Sequence, residues 1–140
     1  MIIQPYLYFA GRCEEAVNFY RTALGAEVQM MMRFKDAPQM GDAGAQPPPE
    51  KIMHAALRIG ETTVFASDGA SVGRATFSGT TLSLSLSTDA EAARFFTALS
   101  DGGQVGMPLA KTFFASSFGT LTDRFGVPWM VLVPVEGRPA

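Results

Sequence analysis

The chain has 140 residues, 47% of them hydrophobic, and a net charge of -2. That is enough for one domain with its own core and no metal or disulfide staples, and too little positive charge for nucleic acid to be the expected partner. No apolar run approaches the roughly 18 to 20 residues that cross a bilayer, and a lone Cys13 with no signal-like N-terminus makes a reducing cytoplasm the expected setting.

Ile2 to Phe9 is an aliphatic and aromatic run suited to a strand, with Pro5 indicating an edge or a bulge. Cys13, Ala16, Val17, Tyr20 and Leu24 then recur at helical spacing, and Glu14, Glu15, Asn18 and Arg21 fill the other face. Gly25 is the predicted stop, and Glu27 to Phe34, with Met30, Met31 and Met32, resumes as a strand. Lys35 to Glu50 holds three consecutive prolines and little apolar material, as expected of a tolerated surface loop or a lid. Met53 to Ile59 and Thr62 to Ala66 form a predicted hairpin around Gly60-Glu61.

The second half repeats the first. Residues 16–28, Ala-Val-Asn-Phe-Tyr-Arg-Thr-Ala-Leu-Gly-Ala-Glu-Val, return at 92–105 as Ala-Ala-Arg-Phe-Phe-Thr-Ala-Leu-Ser-Asp-Gly-Gly-Gln-Val. Leu82, Leu84 and Leu86 alternate with Thr81, Ser83, Ser85 and Ser87 as a strand with one apolar face. Thr88 to Glu91 is a capping box opening a helix whose buried stripe is Ala92, Phe95, Phe96 and Leu99. Strands near 104–109, 112–121 and 127–135 follow, the last two joined by a turn at 123–126, with Pro128 as a second edge or bulge signal. The expected fold is α+β: one domain over residues 1–140, built as an internal repeat of about 1–69 and 79–136 linked by 70–78. Each half is a βαβββ module with a curved mixed sheet and its helix on the outer face, the two forming a concave groove in which a ligand would bind.

The order βαβββ-βαβββ, with Phe19-Tyr20 and Leu24-Gly25 on the first helix and Asp123-x-x-Gly126-x-x-Trp129 near the end, resembles the vicinal oxygen chelate superfamily. Tyr6-Leu7-Tyr8-Phe9-Ala10-Gly11, His54-Ala55, Ser67-Asp68 and residues 122–130 resemble its PhnB-like branch, the glyoxalase and bleomycin-resistance-like proteins. Enzymes of that superfamily hold a divalent metal that polarises vicinal oxygens of substrate. Aligning the two helices without gaps places Pro5, Phe65, Thr81 and Met130 where glyoxalase-I-like members carry His and Glu ligands. None of the four is a strong ligand, a slip of one residue brings in only Gln4 or Tyr6, and His54 is the sole histidine, so neither metal nor cofactor is expected.

Strand parity assigns His54, Ala56 and Arg58 to one face, Phe65 and Ser67 to another strand's equivalent face, and Thr81, Ser83 and Ser85 to a third. His54 is the candidate general acid or base, or else a fixed hydrogen-bonding group in a groove wall. Arg58, Ser67, Asp68, Thr81 and Ser83 are candidate ligand-binding groups, with a solvated Arg58 and an Asp68-Gly69 turn as the structural alternatives. Cys13 and Trp129 are expected in the core, and Met30 to Met32 as strand filling or an adaptable ligand wall. Relatives in this branch carry a methyltransferase label, but no glycine-rich adenosylmethionine loop is visible. The expected function is binding of a small organic molecule by a two-fold homodimer, or alternatively lyase or isomerase chemistry through His54.

Overall fold

The computed structural model describes residues 1–38, 47–69 and 73–136. The chain forms two compact units, Met1–Ala75 and Thr76–Ala140. The first contains β1 (Tyr6–Tyr8), α1 (Cys13–Leu24), β2 (Glu27–Arg33), β3 (Ile52–Ile59) and β4 (Thr62–Ser67), and its sheet runs β1-β4-β3-β2. The second repeats the plan with β5 (Leu82–Ser85), α2 (Asp89–Ser100), β6 (Gln104–Ala110), β7 (Ala115–Thr122) and β8 (Pro128–Pro134), in the order β5-β8-β7-β6. In each sheet the first strand pairs in parallel with the last and the remaining pairs are antiparallel, which makes both sheets mixed and the fold α+β.

Helix α1 buries Cys13, Ala16, Val17 and Tyr20 as its periodicity predicts, but its last buried position is Ala23, with the expected Leu24 only half-buried; Ala55, Leu57, Val64 and Ala66 are the buried residues of the sheet. Gly25 stops it in the left-handed conformation, φ 66°, its N–H and that of Ala26 taking up the last carbonyls. The helix has no cap of its own, because Arg12 occupies the N-cap position and offers no side-chain bond. Asp68 supplies one from the end of β4, its Oδ1 accepting the Cys13 N–H at 2.8 Å and the Gly11 N–H at 2.7 Å while Oδ2 accepts the Ile52 N–H at 2.8 Å.

In the second unit α2 opens on Thr88, whose hydroxyl accepts the Glu91 N–H at 3.2 Å as the capping box predicts. Its Phe96 lies so close to β7 that a Cβ on Gly119 would stand 2.7 Å from the Phe96 ring. Asp123 is the second buried carboxylate, accepting the N–H groups of Phe125 at 2.9 Å, Val127 at 3.1 Å and the Trp129 indole at 2.9 Å. The expected turn at 123–126 and the core position of Trp129 both follow from those bonds.

Two strand starts and one proline differ from expectation. β1 begins at Tyr6, because Pro5 offers no N–H and only its carbonyl joins the sheet, accepting from Phe65 at 2.9 Å; Ile2 and Ile3 lie outside and exposed. β7 begins at Ala115, since the Thr112 hydroxyl accepts the N–H groups of Phe114 and Ala115 and bends the chain there. Pro128 marks neither an edge nor a bulge: β8 is an interior strand, and proline is tolerated as its first residue. Half of the Lys35 to Glu50 segment, residues 39–46, and 70–72 of the linker lie outside the described residues.

Cys13 has no exposed surface, and burial, reinforced by the charges of Asp68 and Glu14, pushes its thiol up to about 12 from an ordinary 9.0. The folded state therefore holds the neutral thiol, a contribution present in full below pH 9 and lost as pH rises from 9 to about 12. The folded protein is expected to resist a thiol reagent at pH 8 and to react on unfolding. Urea stability should fall more steeply between pH 9 and 11 in the native chain than in Cys13→Ala.

Candidate functional site

Opposite α1, the first sheet presents a face built from alternate residues of all four strands. Tyr6 of β1 pairs with Phe65 of β4, which pairs with Ala56 of β3, which pairs with Met30 of β2; one step along the strands, Met32 pairs with His54 and Tyr8 with Ser67. The pleat puts these side chains together on the side away from the buried Ala55, Leu57, Val64 and Ala66. Tyr6 is 40% exposed, Tyr8 56% and Met30 40%, so this face is apolar, aromatic and open.

The rings on it form a connected group. Tyr6 and Tyr8 stack at 5.0 Å and 21°, and Tyr6, His54 and Phe65 stand mutually tilted with centroids 5.2 to 5.8 Å apart. The Tyr6 hydroxyl lies 2.7 Å from His54 Nδ1. Burial, with the neighbouring Tyr8 adding to it, raises the Tyr6 phenol above its ordinary value, so at neutral pH it is protonated and able to donate. With Tyr6 donating, Nδ1 accepts and Nε2 carries the ring proton, which has no hydrogen-bond partner among the described residues. The arrangement can stack a flat molecule and offer it one directed donor.

The other predicted residues are placed differently. Ser67 is buried, its hydroxyl donating to the Ile52 carbonyl at 3.3 Å and accepting the Gly69 N–H at 2.9 Å. Asp68, 4% exposed, spends both oxygens on the three backbone N–H groups that tie the start of α1 to β3. Arg58 shares the His54 face but stands four residues along β3, roughly 13 Å away at strand rise, with its Nε donating to the Gly60 carbonyl at 3.2 Å. Thr81 and Ser83 belong to the second unit; both are exposed, Thr81 just before β5 and Ser83 opposite Met130.

The second unit's corresponding face carries no histidine. Ser83 and Ser85 occupy the positions of Tyr6 and Tyr8, Met130 that of Phe65, Thr120 that of Ala56 and Phe118 that of His54. The pairing also shifts the gapless alignment, by one residue in the first strand of the first unit and by two in the first strand of the second. Tyr6, not Pro5, stands opposite Phe65, and Ser83, not Thr81, stands opposite Met130. Neither unit's positions fit a divalent metal of the kind the fold's enzymes hold: Tyr6 and Phe65 in the first and Ser83 and Met130 in the second supply no carboxylate, and no three His, Cys, Asp or Glu side chains converge among the described residues.

Tyr6 is the residue that sequence reasoning passed over as a site group. Its signal was available: Tyr6 and Tyr8 alternate around Leu7, and a strand pairing with β4 brings them beside Phe65.

A polar cleft of about 260 Å³ lies elsewhere in the unit, lined by Gly11, Glu14, Arg33, Glu50, Lys51, Ile52 and Asp68. Its charges neutralise one another. Arg33 is paired with Glu14 and donates to the Glu50 carbonyl, Lys51 Nζ donates to the Gly11 carbonyl at 2.8 Å, and Lys35 pairs with Glu50 at 2.9 Å. It acts as bracing between the entry to α1, the end of β2 and the start of β3.

Paired βαβββ modules, each with one helix on one face of a mixed four-stranded sheet, define a vicinal oxygen chelate fold, an architecture shared with glyoxalase and bleomycin resistance proteins. Residues 2–132 match the 3-demethylubiquinone-9 3-methyltransferase family, and the chain belongs to it, within the PhnB-like branch of that superfamily. It is 38% identical over 146 residues to Protein YjdN of Escherichia coli strain K12, covering 99% of both chains. Among solved structures it is similar to PA1353 of Pseudomonas aeruginosa, with 43% identity, TM-score 0.83 and coverage of 96% of this chain and 98% of that one. It also resembles a PhnB protein from Bacillus cereus, with 26% identity, TM-score 0.79 and coverage of 95% and 99%. No helix among the described residues is long and apolar enough to cross a membrane.

Proposed function

We propose that the protein binds a small organic molecule, without a metal, on the open face of its first sheet around His54, and that it works in the cytoplasm as a homodimer. The observation that carries this reading is the Tyr6, His54 and Phe65 group: rings held at stacking distance beside an imidazole whose Nδ1 is engaged and whose Nε2 has no partner among the described residues. Exposed Ile2, Ile3 and Met107 supply apolar surface that a second copy would cover. The methyltransferase name of the family lacks a matching adenosylmethionine loop in this chain: neither mixed sheet has a glycine-rich turn leading from a strand into a helix among the described residues.

The second reading, proton transfer by His54 in a lyase or isomerase, takes its support from the same Tyr6 to Nδ1 contact, which could relay a proton. Arg58 and Ser67 lend it little, being committed to Gly60 and to Ile52 and Gly69. The readings separate in D2O, by NMR exchange of the α-protons of enolisable ketones. Passive binding predicts no exchange above buffer; exchange that disappears in His54→Phe would establish the enzyme. Metal analysis of protein purified without chelator should find far less than one ion per chain, and stoichiometric zinc, nickel or manganese would overturn the metal-free reading.

A further inference from the structure

We infer that the molecule held on this face is an uncharged planar aromatic ring bearing a single carbonyl or hydroxyl oxygen, an inference that rests on the preceding reading of the face as a small-molecule site. Three observations define that chemistry. The first is ring geometry. Tyr6, His54 and Phe65 tilt at 39° to 46° to one another, so they present π faces and edges over one area, and Ala56, placed between Phe65 and Met30 in the register, leaves a shallow floor beside them. A flat aromatic ligand gains stacking there that an alicyclic of equal area does not, roughly 3- to 10-fold in affinity.

The second is charge. Among the described residues of this sheet, the ionised groups on the face are Glu27 and Arg58, register partners across β2 and β3 at the Gly60 end of β3, roughly 13 Å along the strand from His54. Arg58 is moreover engaged by the Gly60 carbonyl. A carboxylate or phosphonate lying against Tyr6 and Phe65 would lose hydration and meet no Lys or Arg among the described residues of this sheet, which disfavours an acid ligand. The third is the polar handle. With Nδ1 accepting from Tyr6, His54 offers one N–H, and one donor selects one acceptor oxygen. Met32, opposite His54, and Met30 border the ring with adaptable thioethers, which tolerate variation in the ligand's outline.

The test uses the full chain with 13C-methyl-labelled methionine, titrated with 2-acetylnaphthalene, its anionic counterpart 2-naphthoate, its saturated counterpart 2-acetyldecalin, and naphthalene. The expected result is perturbation of the Met30 and Met32 methyl signals by 2-acetylnaphthalene, with affinity roughly tenfold above 2-naphthoate and 3- to 10-fold above 2-acetyldecalin. Tyr6→Phe should weaken 2-acetylnaphthalene severalfold more than it weakens naphthalene, because the lost hydroxyl orients the donor that only the ketone uses. Equal or tighter binding of 2-naphthoate or 2-acetyldecalin at the same methyls would overturn the ligand class while leaving a small-molecule site in place. Absence of any perturbation of those methyls by all four probes would overturn both.

Discussion

Asp68→Ala is expected to destabilise the protein by about 3 to 5 kcal/mol and to lower its urea midpoint by about 2 M. The side chain is 4% exposed and accepts the backbone N–H groups of Gly11, Cys13 and Ile52, each within 2.8 Å. Deleting it strands three donors away from water, at a cost of about 1 to 3 kcal/mol each before relaxation. One of the three belongs to the first residue of α1, which has no other side-chain cap, so its first turn should lose protection from hydrogen exchange ahead of the rest. Asp68→Asn keeps one acceptor oxygen but turns an NH2 toward one of the donors, and should cost about 2 to 3 kcal/mol. The same variants test Asp68 as a ligand-binding group. Probe affinity per folded molecule should be unchanged, and a tenfold loss would show that its carboxylate contacts the ligand.

Gly103→Ala is expected to cost about 3 kcal/mol in the same assay, for a reason unrelated to hydrogen bonding. Gly103 closes the turn after α2, its N–H donating to Ser100, and its backbone runs against the end of β7. A Cβ there would lie 2.2 Å from the Thr122 carbonyl oxygen and 2.9 Å from the carbonyl carbon and Cα of Asp123, all main-chain atoms with no rotamer to turn aside. The displacement would reach Asp123, whose carboxylate holds Phe125, Val127 and the Trp129 indole. A changed Trp129 fluorescence spectrum in the folded variant should therefore accompany the loss of stability. Unchanged stability would mean that the turn re-forms without its contact to residues 122 and 123.

The sequence carried the order of elements in both modules, because helix and strand periods are local properties: the Cys13 to Tyr20 stripe, the Gly25 stop, the Gly60 turn and the Leu82/Ser83 alternation all have local causes. It also sorted His54, Ala56 and Arg58 onto the face opposite the helix, since parity within one strand is local too. Pairing partners were less accessible. Which residue of β1 stands beside Phe65 depends on a parallel register set by the Pro5 carbonyl and by Asp68 at the far end of the module, and an alignment of helices misses it by one. Ser67 and Asp68 illustrate the same limit. A short polar pair past a strand end has one appearance whether it faces a ligand or serves the main chain, and only the positions of Gly11, Cys13 and Ile52 distinguish the two.

The closing of each sheet by its own first and last strands has a consequence for how the chain is made. While a ribosome is still extending the polypeptide, Tyr6 to Tyr8 has no neighbour until Phe65 to Ser67 emerges, and Leu82 to Ser85 waits likewise for Trp129 to Leu132. Long-range closures of this type delay folding. A nascent chain halted before residue 62 should thus be protease-sensitive in α1 and bound by chaperones through its aromatic stretch, whereas one halted well past the first repeat should already carry a resistant N-terminal half.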